Sequence, residues 1–166
     1  MATSLKNLSD YDPESVPSAK EMRFAIIVSE WNNDITFALL QGAHDTLIKH
    51  GANLNHIKID FVPGSFELIA GARMVAEAGT FDAIICLGCI IQGETPHFNY
   101  ISNGVTAGIT QLNVKYDIPF IFGVLTTENL QQAIDRAGGK HGNKGDEAAI
   151  TAIKMVALRR RSFGSG

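Results

Sequence analysis

The chain is short of the features that mark several protein classes. It has two cysteines, one tryptophan and five prolines. Two cysteines do not make the framework of a disulfide-stapled domain. Cys86 and Cys89 form a C-x-x-C pair, but Cys86 falls inside an apolar run. Cys89 precedes Ile90-Ile91 rather than the helix start that would acidify a redox thiol. No second pair supplies the further ligands of a zinc site, so two reduced, buried thiols and no metal are expected. Excess positive charge is missing as well. Lys plus Arg number 14 against 17 Asp plus Glu, a formal net charge of −3. That balance argues against a dedicated binder of nucleic acid or of an anionic membrane. The one basic cluster, Lys154 with Arg159, Arg160 and Arg161, closes a predicted helix, where cations complement the dipole. Apolar runs stop at strand length, so no membrane span is expected, and residues 1–20 lack a signal-peptide core. The cytoplasm is the expected compartment.

What is there is a 166-residue chain, enough for one domain with a proper core. Residues 1–20 carry Ser, Asp, Glu and Lys with Pro13 and Pro17 and little periodicity. They read as an arm, disordered alone or ordered against a partner. Residues 21–162 form the domain. Residues 163–166 form a tail whose Gly164-Ser165-Gly166 looks like an appended linker.

Within the domain, strand-like and helix-like segments alternate. Apolar runs predict strands at 24–28, 55–61, 82–87 and 119–124, the second less buried because Ile57 and Ile59 alternate with polar residues. Helical spacing predicts helices over 35–50, 66–78, 97–116, 127–137 and 146–161. Asp34 and Thr127 are the expected caps, and Gly51 the stop. Four alternations argue for a parallel sheet with helices on both faces. The glycine-rich stretch 138–145 reads as a flexible hinge between two helices. Neither it nor Gly88 to Gly93 has the spacing of a dinucleotide or phosphate loop.

The stretch 82–100 organises the rest. Its strand breaks at Gly88 and again at Gly93, then offers Glu94, Thr95 and His97 before a helix begins. Open α/β sheets place ligands where strands run out in this way, and the backbone N–H groups of a helix start favour anions. His97 is therefore the expected proton-handling residue. The other loops on the same rim contribute Trp31, Asn32, Phe66, Glu67 and Gln92. That set suits a flat polar heterocycle stacked on an aromatic ring, its hydroxyls bound by a carboxylate. The remaining histidines, His44, His50, His56 and His141, are expected to be solvated.

The segments Ser29-Glu-Trp-Asn, Pro63-Gly-Ser-Phe-Glu67, Gly88-Cys-Ile-Ile-Gln-Gly-Glu-Thr-Pro-His97-Phe, Phe122-Gly-Val-Leu-Thr-Thr-Glu128 and Arg136-Ala-Gly-Gly-Lys-His-Gly-Asn-Lys-Gly145 resemble, in order, the motifs of the lumazine synthase family across about residues 22–162. The resemblance implies a three-layer αβα sandwich. Its sheet would be flavodoxin-like, with four parallel strands, and the N-terminal arm would add to a neighbour's sheet. It implies a transferase of riboflavin biosynthesis that needs neither metal nor cofactor. The family condenses 5-amino-6-ribitylaminopyrimidinedione with 3,4-dihydroxy-2-butanone 4-phosphate to give 6,7-dimethyl-8-ribityllumazine, phosphate and water.

By the same resemblance, Trp31 stacks on the pyrimidinedione. Ser65, Phe66 and Glu67 meet the ribityl chain and ring, Cys89, Ile90 and Ile91 read the ligand through their backbone, and Phe122 is a further ring contact. Glu94, Thr95 and Arg136 hold the phosphate, with Lys144 near it, and His97 is the general acid/base. Many relatives carry a small residue at the position of Glu94, so its backbone N–H is the expected contact. The site would lie between subunits, with His97 and Arg136 on one copy and Trp31 and residues 65–67 on the other or shared. Small-molecule substrates and a homo-oligomer are implied: pentamers, decamers, or an icosahedral shell of pentamers, with riboflavin synthase as an implied partner. Two readings compete, an inactive shell or carrier protein and a flavin or phosphosugar binder without chemistry.

Overall fold

A computed structural model describes residues 7–163, with no account of the Phe163 side chain. Residues 1–6 and the tail residues 164–166 lie outside the described residues, so an arm added to a neighbour and a linker fall largely beyond them.

The first strand, β1 (Phe24–Ser29), is wholly buried, as an unbroken apolar run at the centre of a parallel sheet must be. Helix α1 (Asn33–Lys49) follows, then the edge strand β2 (Ile57–Val62) and helix α2 (Leu68–Ala78). Strand β3 (Ala83–Ile91), helix α3 (His97–Lys115) and strand β4 (Phe120–Thr127) complete the sheet. All its pairings are parallel and its order is β2-β1-β3-β4. A short α4 (Leu130–Ile134) leads to a hairpin of β5 (Ala137–Gly139) and β6 (Gly142–Asn143), and α5 (Lys144–Phe163) ends the domain.

Alternation along the strands divides the core into two layers. Phe24, Ile26 and Val28 face α1 and α5 with Ile85, Leu87 and Ile153, while Ala25 and Ile27 face α2 and α3 with Ile84, Val105 and Ile109. The three-layer αβα architecture and the parallel, flavodoxin-like sheet are as expected. Strand β2 is less buried because it is the edge strand, with Ile59 and Phe61 exposed. Gly51 ends α1 in a left-handed conformation, φ 91°, which glycine adopts without steric cost.

Several local expectations need correction. Strand β3 does not break at Gly88 but runs through it to Ile91, since β4 continues to pair with it as far as Thr127. Gly88 is there for space: a methyl group would sit 2.7 Å from Ser65 Oγ and 3.0 Å from a Leu68 methyl. Asp34 does not cap α1, because Asn32 holds the cap position. Thr127 is the last residue of β4, and Asn129 caps α4 instead, its side chain accepting from Gln132 N.

The stretch 138–145 is not a flexible hinge. It forms the β5–β6 hairpin and the first turn of α5, tied down by long-range hydrogen bonds. Residues 7–20 are ordered against their own chain rather than loose. Leu8 N donates to His141 O, and Val16 and Ala19 join the core beside α1 and α5. The four remaining histidines are partly buried, and His50 meets the Tyr11 hydroxyl at 3.1 Å.

Candidate active site

Beyond the carboxyl ends of β1, β2 and β3 lies a cleft of about 520 Å³. Its first wall comes from the turn after β1. Trp31 N donates to Pro63 O, which holds the backbone in place, while the indole stays 72% exposed. Next to it Asn32 is the only non-glycine residue with positive φ (60°) among the described residues. Asparagine tolerates that region better than most residues. Its amide Nδ2 donates to Cys89 O at 3.0 Å, tying the β1 loop to the end of β3.

The turn before α2 supplies Ser65, Phe66 and Glu67. The Ser65 hydroxyl is buried and finds no hydrogen-bond partner among the described residues. An unpaired buried hydroxyl carries a desolvation penalty that a ligand would relieve. Phe66 is 53% exposed, its ring standing against Gly104 of α3. Cys89, Ile90 and Ile91 line the floor from β3. Burial pushes the Cys86 and Cys89 thiols up to about 12, so they serve as apolar wall rather than as nucleophiles.

The third wall is Gly93, Thr95 and His97, completed by Phe98 and Ile101 of α3. His97 opens α3 and is exposed, and its imidazole makes no hydrogen bond among the described residues. One cleft therefore offers an indole, a phenyl ring, a carboxylate, a free hydroxyl and an imidazole. That combination can stack a polar ring, bind hydroxyls and move a proton. Phe98 and Ile101 were not singled out from the sequence as wall residues, although Ile101 lies one helical turn beyond His97 on the same face.

Trp31, Ser65, Phe66, Glu67, Cys89, Ile90, Ile91, Thr95 and His97 are thus gathered in one chain. Glu94 is exposed between two lining residues without lining the cleft itself. Phe122 and Arg136 do not belong to this cleft. Of the two placements expected for Trp31 and residues 65–67, on the other copy or shared, a single chain already gathers them with His97, and Arg136 does not line that cleft.

Phe122 lines a second cleft of about 340 Å³ between β4, α3 and α5, with Lys144 and Glu147 on its wall. Lys144 Nζ pairs with Glu147 Oε1 at 2.6 Å. Arg136 Nη1 donates to Gln132 O at 3.0 Å, and Arg136 O accepts from Lys144 N at 2.8 Å. Among the described residues no group of three or more His, Cys, Asp or Glu is placed to hold a metal. No helix among them is long and apolar enough to cross a membrane.

A four-stranded parallel αβα sheet with such a cleft at its strand ends defines an α/β enzyme acting on a polar, ring-bearing small molecule. The sequence profile of 6,7-dimethyl-8-ribityllumazine synthase matches residues 21–160. The 6,7-dimethyl-8-ribityllumazine synthase of Parabacteroides distasonis is 60% identical over 156 residues, covering 94% of this chain and 98% of the relative. That of Porphyromonas gingivalis is 57% identical over 160 residues, covering 96% and 99%. That of Flavobacterium johnsoniae is 54% identical over 162 residues, covering 98% and 85%. The chain belongs to the 6,7-dimethyl-8-ribityllumazine synthase family and is a transferase of riboflavin biosynthesis. The carrier reading without catalysis has no support beside these matches.

Proposed function

We propose that the 520 Å³ cleft is one half of the condensing site and that a neighbouring copy of the chain supplies the other half. The pyrimidinedione stacks on Trp31. Its ribityl hydroxyls meet Glu67 and the unpaired Ser65 hydroxyl, Phe66 covers the ring, and the backbone of residues 89–91 reads its edge. The phosphate substrate lies at Thr95 and the backbone N–H of Glu94, at the start of α3, where the helix dipole favours an anion. Arg136 of the adjoining copy clamps it, with Phe122 and Lys144 alongside.

In this arrangement the free amine of the pyrimidinedione attacks the ketone. Loss of water gives an imine, and phosphate leaves to give an enol that tautomerises to a ketone. The ribitylamino nitrogen adds to that carbonyl and closes the second ring with loss of a second water. Each step moves protons between nitrogen and oxygen, and His97 is the imidazole within reach of the cleft. Proton transfer by a positioned side chain is worth about 10²–10⁴-fold. Holding two reactants in register contributes at least as much.

The observation that carries the reading is the separation of the two clefts. His97 and Trp31 line one, Phe122 and Lys144 line the other, so neither cleft of a single chain holds the whole set of expected site residues. A closed ring joins unlike surfaces of successive copies, so one contact can unite them. We further propose a cyclic pentamer and an icosahedral shell of pentamers rather than a decamer, because the 138–145 stretch carries no insertion. Riboflavin synthase would take up the product, and the enzyme would work in the cytoplasm. The two buried free thiols fit a reducing compartment.

Turnover with both substrates, run with light scattering for particle mass, tests the reading. Arg136→Ala should remove a charge-assisted contact of about 1.5–3 kcal/mol and raise the KM for the phosphate substrate with little change in that for the pyrimidinedione. An unchanged KM would take Arg136 out of the phosphate role.

A further inference from the structure

The β5–β6 hairpin has Arg136 just before one foot and Lys144 just after the other, joined by the Lys144 N–H donating to Arg136 O at 2.8 Å. Two strands of three and two residues with a glycine-rich tip do not hold such a unit at a fixed angle by themselves. One side chain ties it to its surroundings. Asn143 Nδ2 donates to Ala38 O in the middle of α1 at 2.9 Å, and Asn143 Oδ1 accepts from Gly145 N at the start of α5 at 2.7 Å. The backbone N–H of Asn143 donates to Ser9 Oγ at 2.9 Å, and Asn143 pairs with Ala137 across the hairpin.

The seam around this amide has no slack. A methyl on Gly42 of α1 would sit 2.6 Å from the Asn143 side chain, and a methyl on Gly145 would collide with Leu39 O. Four parts of the chain therefore converge on one residue: the N-terminal arm, α1, the hairpin and α5. An asparagine that only capped α5 would need its oxygen alone. Here the NH₂ end is used as well, on a different helix.

We propose that Asn143 is the positioning residue of the cationic half-site, fixing Arg136 and Lys144 so that they meet the phosphate held by the adjoining copy. The inference rests on the reading that Arg136 clamps that phosphate. Asn143 itself touches no substrate. Aspartate at this position would keep the oxygen that accepts from Gly145 N but set a carboxylate oxygen against Ala38 O. Serine would also keep an acceptor but fall short of α1. Either change frees the hairpin from α1 while leaving α5 capped.

The test is steady-state kinetics on the assembled enzyme carrying Asn143→Ser or Asn143→Asp, with inorganic phosphate as a competitive inhibitor. The KM for the phosphate substrate and the Ki of inorganic phosphate should each rise by about five- to tenfold, the loss expected for one positioning hydrogen bond. The KM for the pyrimidinedione should hold within about twofold, because nothing in the Trp31 cleft is disturbed. A lowered Tm with both phosphate constants unchanged would reduce Asn143 to a helix cap and overturn the proposal. If the Asn143 variants fail to assemble, Ser9→Ala removes the acceptor of the Asn143 backbone N–H and Gly42→Ala crowds its side-chain amide. Either should raise the phosphate constants selectively, and unchanged constants in both would equally overturn the proposal. Arg136→Ala is measured alongside. If it leaves the phosphate KM unchanged, the underlying phosphate reading fails. If it raises the KM while the Asn143 and seam variants do not, only the positioning role fails.

Discussion

The His97 cleft takes its walls from three segments, each contiguous in sequence, and leaves the side chains expected to meet a ligand without internal partners: Trp31 is 72% exposed and the Ser65 hydroxyl is unpaired. The Phe122–Lys144 cleft is made the other way. Its lining cation is bonded already, Lys144 to Glu147, and Arg136, outside the lining but joined to Lys144 through its backbone, is bonded to Gln132 O. Its supporting contacts come from residues more than 100 positions apart, such as Asn143 with Ala38. The first cleft is fixed mostly through its backbone, by Trp31 N to Pro63 O and Gln92 N to Thr127 O. Among the described residues the Asn32 side chain to Cys89 O is the one tie from a lining side chain, so Trp31, Ser65 and His97 stay free for a ligand. In the second, the side chains themselves hold the structure. Substitutions should accordingly separate activity from stability in the first cleft and mix the two in the second.

The largest expected effect is on His97. His97→Ala should lower kcat by about 10²-fold, toward the low end of general acid/base catalysis, with Tm unchanged because the ring bonds to nothing in the fold. A residual rate above that of the uncatalysed mixture is also expected, from proximity alone. Complete loss of activity would contradict that share, and a large fall in Tm would contradict the contrast between the clefts. Trp31→Ala should raise the KM for the pyrimidinedione by about tenfold, from lost stacking and contact area. Trp31→Phe should recover most of it, and equal losses in both variants would argue against stacking.

The seam beneath the second cleft should respond in stability. Gly145→Ala forces a methyl onto Leu39 O, and overpacking of this kind costs about 1–3 kcal/mol. Thermal unfolding should show a clear fall in Tm, and an unchanged Tm would mean that α1 and α5 can slide apart.

The smallest effect is at His50, far from either cleft. Burial, and then the Lys49 charge, hold its pKa below the usual 6.5, while the Tyr11 hydroxyl bonds to its ring. The unfolded chain therefore takes up this proton first as pH falls, and the fold loses stability from about pH 6.5 down to the depressed folded value. His50→Gln should lessen the drop in Tm between about pH 7 and pH 5. An equal drop in both proteins would remove His50 from the acid response.

The same contrast explains what could be read from the chain beforehand. The alternation of strand and helix was legible because each element carries its own period, and the first cleft was legible because its residues sit in short contiguous motifs. Gly88 misled because a glycine usually interrupts a strand, whereas here it makes room for Ser65 and Leu68 on the neighbouring element. The 138–145 stretch misled for a similar reason. Its glycines suggest freedom, while the bonds that remove that freedom come from Ala38 and Ser9, which no local pattern connects to it. That His97 shares a cleft with Trp31 and residues 65–67 while Arg136 lines no part of it was not legible, because spacing along a chain does not say on which side of a sheet a residue emerges. Asn143 carried no signal by itself, since a polar residue before a helix ordinarily reads as a cap.

In the proposed arrangement the site joins the His97 cleft of one copy to the Arg136 side of another. The most direct measurement mixes His97→Ala and Arg136→Ala chains by co-expression and assays the purified mixed assemblies. Random assortment should leave up to about one site in four with both side chains intact. At phosphate-substrate concentrations well below the KM of Arg136→Ala, the mixture should therefore turn over faster than either variant assembled alone, and faster than their average. A mixed assembly no more active than the average of its parts would contradict the claim.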